Sequence, residues 1–415
     1  MVKRWIGLTV VALSLGQAAD VHAQAPATSQ TAPAQPQANG PQPSVIANDP
    51  VPYAPSQAMF PGVAGPQVAG TPDPSACPGV QPIEVPKGPN AFKDASCGSQ
   101  CGCYFDVGGM ALQRSRLGHQ VIAVQDATGI DNGNPPAKHA PELQDLNQIP
   151  MDYQGGVDAT LGYRWDCGSI ELHGFYLFRN TTQVQTSQAG RLDSFFVNPP
   201  VGFEGDNGMW LQADVMRSSF RSEIGSAELM CNYWSDSAAT CEGSLGFRFL
   251  DLTERLRQFT GDDDLTVRDI NGNPDPTRQA SYEIRTQNRI IGPQAGFQLT
   301  GHICPWLNCA IFGKACVGAN FLDESVRLQR GDGFIGFSDE RNKVIVSQVY
   351  EVGAYLDWCF CDGLHLRTGW MALILYDVAT AQDQFDFNLA NTLGRQKYDG
   401  SAFYQGPVIE LQFYF

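Results

Sequence analysis

Cysteine is the residue type with the most chemistry to offer in this chain, with 12 among 415 residues. Cys97-x3-Cys101-x-Cys103 has no partner histidines at zinc-ligand spacing, and Cys359-x-Cys361 stands alone. In an exported chain, thiols without that spacing pair with one another, so disulfides are expected and a metal centre is not. Asp269-x-Asn271-x-Asn273-x-Asp275 sets oxygens at alternate positions, as calcium loops do. The glycine such a loop needs at its sixth position is Pro274, and Asn-Gly is itself a turn signal. A plain turn is expected there, as at Asp131-Asn132-Gly133-Asn134-Pro135. The chain has no Gly-x-Ser-x-Gly elbow, no His-Glu-x-x-His pair and no phosphate loop. Neither catalysis nor a cofactor is expected.

Export itself is written at the start. Lys3 and Arg4 precede an apolar core from Trp5 to Leu15, and Val21-His22-Ala23 completes a cleavage site. Residues 1–23 are therefore expected to be a secretory signal, since the apolar run is well short of the roughly 20 residues a spanning helix needs. No cysteine follows the cleavage site to carry a lipid. Residues 24–96 are rich in Pro, Gln, Ala and Gly and bury too little to offset ordering entropy. They are expected to form an extended periplasmic tether, with capture of a cell-wall partner as the alternative. A formal charge of -16 argues against nucleic acid as a partner.

From Tyr104 onward the pattern becomes that of strands. Val157, Ala159, Leu161, Tyr163 and Trp165 share one face, with Asp158, Thr160, Gly162 and Arg164 on the other. This period of two lasts about ten residues, the length of a tilted strand crossing a bilayer. Such segments occur at 104–114, 156–166, 169–178, 219–234, 242–252, 282–301, 309–321, 343–358, 364–376 and 402–415. The connections alternate, short near 167–168, 235–241, 302–308 and 359–363, and long at 115–155, 179–218, 253–281, 322–342 and 377–401. Short periplasmic turns and long external loops characterise outer-membrane barrels. Residues 97–415 are thus expected to be an all-β, antiparallel transmembrane barrel of about ten strands, with eight or twelve as alternatives, in the cell outer membrane. The mean hydropathy of -0.21 fits apolar positions diluted by alternation.

The faces allocate the remaining residues. Asp158, Arg164, Glu171, His173, Glu228, Arg248, Lys314, Glu351, Arg367 and Glu410 are expected to face the lumen, where both signs should pair into a plug or line a selective pore. Cys101, Cys103, Cys167, Cys231, Cys241, Cys304, Cys309, Cys359 and Cys361 fall at the periplasmic ends and predict a disulfide-pinned rim. Cys231 and Cys241 should face one another across a turn, and Cys304 and Cys309 should do the same. Cys101/Cys103 and Cys359/Cys361 should seek partners outside each doublet, Cys167 being one for the first; a spare cysteine would permit linkage to another surface protein. Phe413 and Phe415 end an alternating last strand in the manner of the signal read by the barrel assembly machinery.

Gly246-Phe247-Arg248-Phe249-Leu250-Asp251-Leu252-Thr253-Glu254 and Asn288-Arg289-Ile290-Ile291-Gly292-Pro293-Gln294-Ala295-Gly296, behind a Pro-rich leader, give the chain a family resemblance. Over 104–415 it resembles the planctomycete-type outer-membrane β-barrel proteins of unassigned function. That resemblance implies a barrel in the outer membrane and transfers no catalytic residues. The expected role is structural or surface-interactive. A narrow channel for small solutes is the alternative, and a surface protease of the omptin type, using His119 and His139 with loop aspartates, a third.

Overall fold

The computed structural model describes residues 102–125, 140–165, 167–204, 209–234, 241–262, 270–273, 275–361, 363–390, 392 and 396–415. The signal, the tether, Cys97, Cys101, His139, the 131–135 turn, Asp269 and Pro274 lie outside the described residues. Strand β1 is Gly102–Arg114, β2 Val121–Gln125, β3 Glu142–Asp145, β4 Tyr153–Trp165, β5 Gly168–Asp193 and β6 Ala213–Trp234. The second half comprises β7 Cys241–Gly261, β8 Gln279–Cys304, β9 Leu307–Arg330, β10 Ile335–Cys361, β11 Leu364–Val378 and β12 Gly400–Tyr414.

Each long strand pairs antiparallel with its neighbours in the chain, skipping β2 and β3. Pairing of β12 with β1 closes the sheet into a ten-stranded barrel. The small pair β2–β3 is attached to the end of β5 through Val124↔Asp193 and Gln125↔Leu192. Gly102 and Phe415 lie together at the short-turn end, where the Phe415 amide donates to the Cys103 carbonyl at 2.9 Å.

The alternation changes phase along the barrel. Near the short turns the outward positions are apolar: Leu245, Phe247 and Phe249 on β7 and Phe297 and Leu299 on β8 are all exposed. Hydrogen-bonded rows of such positions wrap the sheet, for example Ala227, Phe249, Ile291 and Ala319 across β6 to β9. Above the next row, Phe321 is followed outward on β9 by Asp323, Ser325 and Arg327, while Leu322, Val326 and Leu328 point inward and are buried. A surface apolar outside and polar inside requires lipid around it, and a surface of the opposite phase requires water. The lower barrel is therefore a membrane-spanning belt, and the upper barrel stands clear of it.

All ten strands expected from the periodicity are present, and those around the tall side run further than expected. β5 continues to Asp193 instead of 178, β7 to Gly261 instead of 252, and β9 to Arg330 instead of 321. Consequently the long connection expected at 322–342 reduces to a hairpin tip at 331–334 between β9 and β10. Here Asp332 accepts from Arg330, at 3.0 and 2.7 Å, and from the Phe334 amide at 3.1 Å; the guanidinium beside it holds its carboxyl below the usual range.

Candidate functional site in the barrel lumen

The lumen divides into two halves. From the short-turn end a cavity of about 1210 Å³ reaches inward. Seven of the ten lumen-assigned charges line it: Arg164, Glu171, His173, Lys314, Glu351, Arg367 and Glu410. The other three, Asp158, Glu228 and Arg248, are buried on the same inward faces.

At the inner end of the cavity the charges meet. Glu228 stands opposite both His173 and Arg248 in register, and Glu351 stands opposite Lys314. Strand pairing thus supplies half of the contacts, and side chains crossing the lumen supply the rest. Arg248 reaches Glu228 at 3.2 Å and Glu351 at 2.8 Å; Lys314 reaches the same two carboxylates at 3.0 and 3.5 Å. Gln294 donates to Glu228 at 2.7 Å, and Arg248 donates to Ser226 at 3.0 Å and Gln294 at 3.3 Å. Two acids and two bases bridge the tube in alternation, which is what makes burial of four charges tolerable.

Beyond this quartet apolar side chains fill the lumen beside buried, hydrogen-bonded polar ones such as Arg114, Glu254, Asn288 and Asn320. Leu112, Leu177, Ile224, Leu250, Leu252, Ile290, Val349, Leu373 and Tyr404 pack inside the wall. Further out, the connecting segments fold into the barrel and contribute Leu117, Ile122, Leu146, Phe196, Trp210, Phe385 and Leu389 to a second cluster. Loops expected to project outward instead cap and fill the tube, because their apolar residues find the only water-free space there. The start of segment 379–390 is held by strand residues Asn288 and Glu254. Asn288 donates to the Ala379 carbonyl at 2.8 Å and accepts the Ala379 amide at 2.9 Å. Glu254 accepts the Ala381 amide at 3.1 Å and Arg114 at 2.6 Å. The two motifs behind the family resemblance are hydrogen-bonded neighbours, with Leu252 opposite Asn288 and Gly246 opposite Gln294. Their inward residues Arg248, Glu254, Asn288 and Gln294 are among those that close the lumen.

The described cysteines of the expected rim all lie at the short-turn end, but neither hairpin pair is in register. Cys231 stands opposite Leu245, and Cys309 stands opposite Gly301. Cys304 lines the cavity, whereas Cys309 follows the outward alternation of Ile311. Symmetry about a turn does not guarantee opposition; the register of the strands decides it. Cys304, Cys359 and Cys361 share the mouth of the cavity. Cys359 lies 3.6 Å from Nδ1 of His365, which is 3.2 Å from a carboxylate oxygen of Asp357. These three donors could hold a divalent ion of intermediate softness. The set was invisible in the sequence because Asp357 and Cys359 sit on β10 and His365 on β11. Near the other end, His119 bonds Asp145, which also caps the 3-10 turn Leu146–Gln148. Asp275 caps the turn Pro276–Arg278, using its carboxylate on the Thr277 amide. Phe413 sits between Phe105 and Leu364 in register, and Phe415 is exposed beyond it.

No family model matches the chain, and no curated protein matches it. Among solved structures it is similar to the outer membrane protease OmpT from Escherichia coli, at 10% identity over 76% of this chain and 97% of that one, with a TM-score of 0.37. It is also similar to the toluene transporter TodX of P. putida, at 9% identity over 76% and 90% of the two chains, TM-score 0.32. A FadL homologue of Pseudomonas aeruginosa follows, at 11% identity over 75% and 89%, TM-score 0.25. Likeness at this level says nothing about activity or cargo.

Proposed function

We propose that the chain is an outer-membrane barrel with a structural or surface-interaction role and a lumen closed to solutes. The observation that carries this reading is the Glu228–Arg248–Lys314–Glu351 quartet backed by packed apolar residues, which leaves the cavity a blind vestibule among the described residues. In this orientation the short turns and the vestibule face the periplasm and the tall wall faces outward. Cysteines at the vestibule mouth are proposed to fasten the rim by disulfides, with partners other than those symmetry suggests.

Two measurements test the reading. The purified chain should migrate faster in detergent gels before heating than after, as a closed barrel does; unchanged migration would count against a barrel. In planar bilayers the native protein should give no steady openings, whereas a Glu254→Leu/Asn288→Leu variant, which releases segment 379–390, should open intermittently. Steady conductance of the native chain would favour the narrow channel instead.

A further inference from the structure

The outward face of the tall wall carries an arrangement that strand pairing alone disfavours. Arg221 of β6 is directly opposite Arg255 of β7, and Arg255 is directly opposite Arg285 of β8. Three guanidinium groups thus lie side by side in one row, in a chain whose net charge is -16. Like charges directly opposite one another destabilise a sheet. The row ends in hydroxyls, Thr181 opposite Arg221 on one side and Ser325 opposite Arg285 on the other. Neighbouring rows add Arg257 and Arg327, both exposed. Acids neutralise the row only in part: Glu283 pairs with Arg255, Glu223 reaches Arg221 at 4.0 Å while bonding Arg179 at 3.1 Å, and among the described residues no acid forms an ion pair with Arg285.

Position narrows the chemistry. The last outward row with a large apolar or aromatic residue on several strands includes Tyr176 and Phe321. The arginine row lies four residues further along the strands, about 9 Å higher for a strand tilted about 45°. Arginine stems can bend back over that distance to the headgroup layer. Guanidinium groups match phosphate oxygens bidentately, and hydroxyls complete such a site.

We infer that Arg221, Arg255 and Arg285, flanked by Thr181 and Ser325, form a binding site for the phosphate of an anionic membrane-lipid headgroup, one without a cationic group of its own, at the outer rim of the belt. This rests on the outer-membrane reading above. Without the lipid the row is frustrated; with it, the repulsion becomes attraction. The site gives the barrel a fixed lipid contact on its tall side.

The full chain would be reconstituted into phosphatidylcholine vesicles, with and without phosphatidylglycerol, and into phosphatidylcholine with added inorganic phosphate. Retained lipid would be counted by native mass spectrometry and the heat-modification temperature read on gels. Phosphatidylglycerol should be retained in preference, by about fivefold per contributing arginine, and should raise that temperature. An Arg221→Gln/Arg285→Gln variant should lose the preference and be no less stable in phosphatidylcholine alone. Equal retention of both lipids, or a preference that survives the variant, would overturn the inference. Inorganic phosphate reproducing the whole shift would assign the row to the free ion and overturn the lipid assignment. A chain that enters no vesicle at all would sink the membrane reading itself, and the site with it.

Discussion

Replacing Arg248 by Met is expected to destabilise the barrel by about 3–5 kcal/mol, because it leaves two buried carboxylates with one cation fewer between them. Arg248 is 1% exposed, and Glu228 and Glu351 lie at 3.2 and 2.8 Å from its guanidinium. Lys314 would still reach both acids, at 3.0 and 3.5 Å, but one ammonium offers a single charge to two carboxylates, and Ser226 Oγ and Gln294 Oε1 lose the donor Arg248 supplied. Removing the whole quartet, as Glu228→Leu/Arg248→Met/Lys314→Met/Glu351→Leu, should recover most of that loss, since well-packed apolar groups replace a buried ion network at little or no net cost. Urea unfolding in lipid vesicles, followed by tryptophan emission, would compare the two variants with the native chain. A single variant as stable as the native protein would show that the quartet is hydrated and that the vestibule continues past it.

The quartet's members were legible from alternation, since a period of two sorts residues to faces without any knowledge of the fold. Which charges touch was not, because contacts across a tube depend on closure and on the stagger between strands. The upper barrel was only half legible for a related reason. On β7 the apolar positions run Leu245, Phe247, Phe249 and then Leu250, Leu252, Leu256, so the pattern shifts by one residue between Phe249 and Leu250. Read as a single lipid-facing pattern, the strand ends at 252; the backbone continues to Gly261 because only the surroundings change, from lipid to water. The same shift hid the loop plug, whose apolar residues have no periodicity of their own. The cysteines failed in the opposite sense: their symmetry about turns was visible, and the register that separates them was not.

Gly292→Val should prevent the barrel from forming. Gly292 and Gly318 lie beside one another on the inner faces of β8 and β9, within the short gap that Pro293 makes in the ladder between them. Proline has no amide hydrogen to offer, so the ladder is interrupted there, and two facing glycines let the backbones approach closely. A Cβ on Gly292 would lie 2.3 Å from the Val317 carbonyl oxygen and 2.5 Å from the Gly318 Cα, so the clash is with backbone and cannot be relieved by a rotamer. Relief requires parting β8 from β9, two of the longest strands, whose pairing continues both above and below. The gel form that migrates fast before heating should therefore disappear, and protein should accumulate unfolded. Gly243→Ala is the matched control: it lies in the neighbouring strand β7, where an added Cβ meets nothing within 4 Å, and should leave the fast-migrating form intact. Equal yields of folded barrel from both variants would mean that the β8–β9 approach is loose enough to admit a side chain.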